Sequence, residues 1–221
     1  MGIRINDVAP DFVADTTHGP IKFHDWSGDN WVVLFSHPKD FTPICTTELG
    51  LMARIENEFA LRNTKIIGHS IDSVETHHRW SRDIQETQGV APKFPIIGDP
   101  DLKVAKLYDM LPAEFVLPEN YTSADTATVR VVFLIGPDKF IKATSSYPMS
   151  LGRNFGEVLR AIDSLQLTAR YKVATPVNWV WGGECVIPPA VSDAEAAKLF
   201  PSGWATAKPY LRTLPQPGLS N

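Results

Sequence analysis

Residues 31–35, Trp-Val-Val-Leu-Phe, are five apolar residues in a row with no polar alternation. A strand with one wet face alternates, so this run predicts a strand buried on both faces, as in a sheet covered by helices. A polar turn follows from Ser36 to Asp40, with Pro38 inside it. Phe41-Thr42-Pro43-Ile44-Cys45 then leads into a helical pattern whose Leu49, Met52, Ile55 and Phe59 share one stripe. Proline suits the first helical position and a threonine hydroxyl suits the cap, so Thr42 and Pro43 mark the helix start. Cys45 therefore falls in the first turn of a helix that leaves a buried strand.

The chain around this unit repeats the alternation. Short strands are expected at Phe12-Val13-Ala14 and Ile21-Lys22-Phe23, about a turn at His18-Gly19-Pro20. Residues 65–71 read as a second buried strand and residues 74–88, with Trp80 and Ile84, as a surface helix. A short strand at 94–97, a short helix at 102–108 and a loop at 112–127 come next. Residues 129–135 form a strong strand, and a turn at 136–139 returns the chain as an antiparallel partner over 140–147. Residues 154–167 are helical, with Phe155, Val158, Leu159, Ile162 and Leu165 facing inward. This order predicts a mixed sheet with helices on both faces, an α/β sandwich of thioredoxin type.

The character changes after residue 169. Pro176, Pro188, Pro189, Pro201, Pro209, Pro215 and Pro217 crowd the last stretch, together with Trp179, Trp181 and Trp204. Few regular elements fit: a strand at 185–187, a short helix at 192–200 and an extended piece at 210–213. So short a proline-rich stretch does not readily form a core alone, and its tryptophans would be sticky in water. The expected division is a domain over residues 1–168 and an arm over 169–221 that wraps a second copy of the chain. A formal charge of −4 and a pI near 5.8 argue against nucleic-acid binding. No apolar run approaches the roughly 20 residues of a membrane helix. The opening MGIRINDVAP lacks an apolar signal region, and Asn6 stands where myristoylation wants Ser or Thr. A cytoplasmic protein without membrane insertion is expected.

Two cysteines, Cys45 and Cys185, are too few for a disulfide scaffold or a zinc site. A lone cysteine is most often packing. Cys45 has a different setting, because Thr42, Pro43, Thr46 and Thr47 surround it at a helix start. A free thiol titrates near about 8.5 and is only a few per cent thiolate at neutral pH. Lowering that by about two units takes roughly 2.7 kcal/mol of preference for the anion. A helix N-terminus gives about 0.3–1 kcal/mol, and about 2 at best. A cation at about 4 Å gives on the order of 4 kcal/mol before desolvation, so a reactive Cys45 needs a basic partner. Arg130, inside the strand TVRVVFLI, is the candidate, unless it sits at a strand end facing solvent. Glu48, one turn after Cys45, is suited to hold that arginine by a bidentate pair, unless it is an ordinary surface glutamate.

The spacing Pro38-x-x-x-Thr42-x-x-Cys45 resembles the signature of the peroxiredoxins, and SHPKDFTPICTTELG resembles their one-cysteine subfamily. The likeness continues through SIDSVETHHRWSRDI, FPIIGD, TVRVVFLIGPDK, YPMSLGRNFGEVLR and SLQLTARYKVATPVNW, nearly the whole chain in the family's order. It implies a thiol peroxidase in which Cys45 attacks hydrogen peroxide or an organic hydroperoxide and becomes a sulfenic acid. It also implies that Thr42 bonds peroxide and thiolate, that Arg130 holds both and that Pro38 shields the pocket. The Ile44 and Cys45 amides complete the cradle. Arg153 matches a second arginine of the family pocket. His37 matches a family histidine beside the cysteine, against the plain reading of a turn histidine. By the same likeness the fold is thioredoxin-like, the arm crosses a homodimer and no cofactor or metal is needed. An external thiol or other reductant, glutathione, a thioredoxin-like protein or ascorbate, then restores the cysteine. The histidines show no helical i, i+4 metal pair, and adjacent His77 and His78 are read as solvated.

Three departures stay open. Some relatives in this subfamily hydrolyse phospholipids with a serine, and His24 and Asp138 match their partners, but Asn30 replaces the nucleophile. Little or no phospholipase activity is expected. Cys185, after Gly183-Glu184, superficially resembles the resolving thiol of two-cysteine peroxiredoxins, against the reading of a packed free thiol. A non-enzymatic holdase on the same scaffold is the alternative from another class; it would survive replacement of Cys45.

Overall fold

The computed structural model describes residues 2–113 and 126–219. Most of the loop expected at 112–127 lies outside the described residues. The chain divides into two compact units, Met1–Asn154 and Phe155–Asn221. The boundary thus moves from the expected 168/169 to 154/155. The long helix joins the C-terminal unit because Leu167 belongs to its apolar cluster.

In the first unit, β1 (Val13–Thr16) and β2 (Gly19–Lys22) pair as a hairpin and α1 (Phe23–Ser27) follows at once. Then come β3 (Trp31–Ser36), α2 (Pro43–Arg54), α3 (Glu56–Ala60), β4 (Thr64–Ser70) and α4 (Val74–Gln88). The unit ends with β5 (Ile96–Gly98), α5 (Lys103–Leu107), β6 (Arg130–Ile135) and β7 (Ile141–Tyr147). Seven strands form one sheet in the order β2-β1-β5-β4-β3-β6-β7. The β3–β4 and β4–β5 pairs are parallel, and the remaining pairs are antiparallel. This is the mixed thioredoxin-like sheet that the alternation predicts. Every residue of β3 and β6 is buried, as central strands of a covered sheet must be.

Side chains alternate across that sheet. Val32, Leu34, Ile67, Ile97 and Phe133 face a core shared with Phe23 of α1 and with Val104 and Ala105 of α5. Val33, Phe35, Ile66 and Ile96 point the other way. α4 spans the expected residues: the Ser73 hydroxyl caps it by accepting from the Thr76 N–H at 3.2 Å, and Gly89, at φ 78°, closes it. It is less of a surface helix than expected, because His77, Trp80 and Ile84 are buried along it. α2 and α4 approach closely enough that a Cβ on Gly50 would lie 2.5 Å from Cγ of Gln88. The helical pattern expected through Leu49, Met52, Ile55 and Phe59 breaks at Ile55, whose φ of −101° and ψ of 11° end α2 and start α3. Leu49, Met52 and Phe59 of the expected stripe are buried.

The second unit holds α6 (Phe155–Arg170), β8 (Cys185–Val186), α7 (Asp193–Leu199), β9 (Ala205–Lys208) and β10 (Leu211–Leu214). Its three strands make an antiparallel sheet in the order β8-β10-β9, of which β9 was not expected from the sequence. Contrary to expectation, this proline-rich stretch has a core. Leu167, Val173, Trp179, Cys185, Ile187, Val191, Ala196, Phe200 and Leu214 bury one another. The prolines cap and punctuate these short elements, and α6 supplies the length of apolar surface that the arm lacks. Among the described residues no helix is long and apolar enough to cross a membrane.

Candidate active site

Cys45 lies in the first turn of α2, fully buried. Pro43 occupies the helix start, where an absent N–H costs nothing, and Thr42 takes the extended cap conformation at φ −117°, ψ 149°. The Thr42 hydroxyl departs from the expected cap. It donates to the Lys39 carbonyl at 2.9 Å instead of accepting from a helix amide. The first intrahelical bond runs from the Thr46 N–H to the Thr42 carbonyl at 3.0 Å. The N–H groups of Ile44 and Cys45 precede it and carry no such partner within the helix.

Arg130 is the first residue of β6, so it does stand at a strand end, yet it is buried. Its Nη1 donates to Cys45 Sγ at 3.3 Å and to Glu48 Oε2 at 2.8 Å. The other side of the guanidinium is pinned to the Met149 carbonyl, by Nε at 3.0 Å and Nη2 at 2.7 Å. Glu48, one turn beyond Cys45, is likewise buried, not a surface residue. Its Oε1 accepts from the Arg153 N–H at 2.8 Å and Nε at 3.0 Å, and its Oε2 accepts from Arg153 Nη2 at 2.7 Å. Arg153 Nη1 in turn donates to the carbonyls of Ser36 at 2.8 Å and Val131 at 3.1 Å, and its guanidinium lies over the Phe35 ring at 5.2 Å. These bonds lock the ends of β3 and β6 to α2.

Burial works to raise the Glu48 carboxyl, but the hydrogen bonds from Arg153 and the charges of Arg153 and Arg130 outweigh it and hold it below the usual range. One carboxylate therefore faces two guanidinium groups. One of them also meets Sγ, so the thiol belongs to the same hydrogen-bonded network as Glu48.

Pro38 is buried in the turn after β3. His37, beside it, is fully buried: its N–H donates to the His69 carbonyl at 2.9 Å, and its carbonyl accepts from the Thr128 hydroxyl at 2.9 Å. Its Nε2 lies 2.8 Å from Asp40 Oδ1, and His77 Nδ1 lies 2.6 Å from Asp40 Oδ2. Burial pushes His37 below the ordinary histidine value, more than the bond and charge of Asp40 raise it. The expectation of solvated histidines fails for His77, which is fully buried like His37 and His69, and holds for His78, which is exposed. His77 shares the buried stripe of α4 with Trp80 and Ile84, and that i, i+3, i+7 spacing is the sequence signal that marks it. Ligand-type atoms of His37, Asp40 and His77 lie within 4.8 Å of one another, the one such group among the described residues. Sequence reasoning missed Asp40, His77 and the Met149 carbonyl; a backbone carbonyl leaves no trace in a sequence.

The residues matched to a phospholipase site are engaged elsewhere. His24 Nε2 bonds the Ala9 carbonyl at 2.8 Å, the Asp138 carboxylate pairs with Lys142 at 2.5 Å, and Asn30 Nδ2 donates to the Ser27 carbonyl at 2.9 Å. Cys185 is a free thiol in the second unit's core, its Sγ 4.0 Å from the Gly183 carbonyl.

Comparison with known proteins agrees with this arrangement. Residues 5–144 match the AhpC/TSA family and residues 164–203 the C-terminal domain of 1-Cys peroxiredoxin. A 1-Cys peroxiredoxin of Dictyostelium discoideum is 51% identical over 216 residues, covering 97% of this chain and 86% of its own. The crystal structure of peroxiredoxin 6 from Arenicola marina superposes with a TM-score of 0.88 at 46% identity, over 98% of this chain and all of that one. A yeast mitochondrial 1-Cys peroxiredoxin gives a TM-score of 0.87 at 48% identity, over 96% of this chain and 99% of that one. A likeness that runs through both units at about half identity makes the chain a member of the 1-Cys peroxiredoxin, or peroxiredoxin-6, branch of the AhpC/TSA thiol peroxidases.

Proposed function

We propose that Cys45 is the peroxidatic residue and that the cluster around it supplies the charge the reaction needs. The observation that carries this reading is the contact of Arg130 Nη1 with Sγ, made by a guanidinium that Glu48 and Met149 already hold in place. A cation so close stabilises negative charge as it develops between sulfur and peroxide, and its geometry costs no reorganisation when peroxide arrives. The sulfur attacks the nearer peroxide oxygen: the S–O bond forms, the O–O bond breaks, and the leaving hydroxide or alkoxide takes a proton to become water or alcohol. Arg130 and the Ile44 and Cys45 amides stabilise the charge passing between the oxygens. The Thr42 hydroxyl, whose proton goes to Lys39, faces the peroxide as an acceptor. Glu48 and Arg153 set the position of Arg130, Pro38 keeps bulk water out, and His37 borders the pocket.

An external thiol completes the cycle. It attacks the sulfenic sulfur, releases water and leaves a mixed disulfide, which a second thiol reduces. Cys185 is a poor substitute, since burial raises its pKa and keeps it protonated. The yeast mitochondrial relative is described with glutathione/thioredoxin systems as its thiol-resolving mechanism, and we assign the same class of reductant here. Ascorbate is the alternative. Val177, Trp181 and Tyr210 are exposed in the second unit, which supports its role as a dimerisation element in a cytoplasmic homodimer. With Asn30 in place of a serine, no phospholipase activity is assigned. Cys45→Ser tests the reading: thiol-dependent consumption of hydrogen peroxide falls to background, while a protein acting only as a holdase keeps its activity.

A further inference from the structure

Asp40 lies in the turn that carries Pro38 and Thr42, and three hydrogen bonds tie it down. Its N–H donates to Asp72 Oδ2 at 2.8 Å, Oδ1 meets His37 Nε2 at 2.8 Å, and Oδ2 meets His77 Nδ1 at 2.6 Å. Asp40, Asp72, His37 and His77 are all buried. The next residue, Phe41, has φ 55°, the left-handed region that a bulky side chain rarely adopts unless its surroundings hold it there. The turn is also held from the other side. Trp80, three residues along α4 from His77, packs against the His37 ring at 5.1 Å and donates from Nε1 to Thr46 Oγ1 at 3.1 Å. Thr46 Oγ1 then donates to the Thr42 carbonyl at 2.8 Å.

The protons of this group can be counted. His77 Nε2 lies 3.1 Å from the Ile97 carbonyl, and a carbonyl only accepts, so Nε2 carries a proton. Nδ1 would then present a bare lone pair to a carboxylate oxygen unless the carboxyl is itself protonated or a cation lies between them. Ligands about 2.0–2.1 Å from a tetrahedral metal ion stand roughly 3.3 Å apart, so a separation this short fits a proton and not a metal. The other Asp40 oxygen takes the Nε2 proton of His37, whose Nδ1 has no partner among the described residues. Asp40 itself is held below the usual carboxylate range, because the bonds and charges of His37 and His77 outweigh its burial.

We propose that His77 is a buried imidazolium paired with the Asp40 carboxylate, and that this ion pair is a positioning element of the peroxide pocket. It pins the strained Phe41 turn to α4 and so fixes where Thr42 and Pro38 stand. Among the described residues, the side chain that hydrogen-bonds Cys45 Sγ is that of Arg130, not Asp40 or His77. The inference rests on the peroxidase reading above, but its first test does not. Nitrogen-resolved NMR of the histidine rings in the full-length reduced protein at neutral pH is expected to show two ring N–H protons on His77, with the Nδ1 proton far downfield. His37 shows one, on Nε2. A neutral His77 ring lacking the Nδ1 proton overturns the proposal. So does a divalent ion retained at one per chain in the unmodified protein and lost in Asp40→Asn.

The second test separates positioning from general loosening. Asp40→Asn and His77→Gln are expected to slow sulfenate formation by hydrogen peroxide about 10- to 100-fold, the scale of a misplaced binding group. Alkylation of Cys45 by iodoacetamide stays within about twofold, because the Arg130, Glu48 and Arg153 contacts are untouched. Equal losses in both rates, or no loss in the peroxide rate, overturn the positioning role. Should either variant fail to fold, the ring-proton measurement decides. If the unmodified protein forms no sulfenate at all, the peroxidase reading fails instead, and the ring protons still report on the ion pair.

Discussion

The molecule holds two thiols that are equally buried and chemically opposite. Cys45 meets a guanidinium at 3.3 Å at the start of a helix, beside a carboxylate that is outnumbered by arginines. Cys185 meets a tryptophan, a glycine carbonyl and an apolar cluster, and burial raises its pKa. Zero solvent exposure is common to both, so exposure does not decide which sulfur reacts. The two differ in what surrounds the sulfur, a hydrogen-bonding guanidinium at Cys45 and an apolar cluster at Cys185. The first unit spends packing volume on that charge, with Glu48, Arg130 and Arg153 where apolar residues would pack more cheaply. The second unit makes no such concession around Cys185.

This contrast can be broken at several points. The largest expected effect is on stability. Glu48→Gln removes the anion that two buried arginines share, and removing one partner of a buried ion cluster costs about 3–5 kcal/mol. Chemical denaturation followed by tryptophan fluorescence measures it; a change below about 1 kcal/mol would mean the cluster is solvated. Cys185→Ser comes next. A hydroxyl buried among Trp179, Ile187 and Leu214 costs about 1–3 kcal/mol, while the rate of sulfenate formation at Cys45 stays unchanged. A slowed rate would show that the two thiols are coupled. The smallest effect concerns pH. His37 is neutral when folded because burial lowers its pKa, whereas the unfolded chain protonates it around 6.5. The stability His37 contributes by staying neutral is therefore kept above that value and lost progressively as pH falls below it, read from urea midpoints. A further and steeper loss is expected below 4.5, where the unfolded forms of Glu48 and Asp40 begin to take up protons that the folded forms resist.

Much of the fold was legible because periodicity records burial. The uninterrupted run of β3 and the capped pattern of α4 name their own elements, and the strand order leaves little but a mixed, covered sheet. The second unit was harder. Its core depends on Leu167 meeting Trp179 and Leu214 across long sequence separations, which local patterning does not encode, so its prolines misled. The site divides in the same way. Cys45 and Thr42 carry a local signal, and Arg130 stands out as a charge in an apolar strand. Glu48 and Arg153 do not, since only the tertiary fold turns a helix glutamate and a loop arginine into a buried pair. Asp40 and His77 were read as turn and surface, because nothing in their neighbourhoods reveals that the two meet.

Replacing Arg130 addresses the central claim most directly. The second-order rate constant for sulfenate formation at Cys45, from stopped-flow tryptophan fluorescence with hydrogen peroxide at neutral pH, is compared between Arg130→Met and the unmodified protein. Removing a charged donor aimed at the reacting atoms predicts a fall of about 100- to 1,000-fold. A rate within about twofold of the unmodified protein, in a variant that remains folded, would show that the sulfur owes its reactivity to something other than this guanidinium.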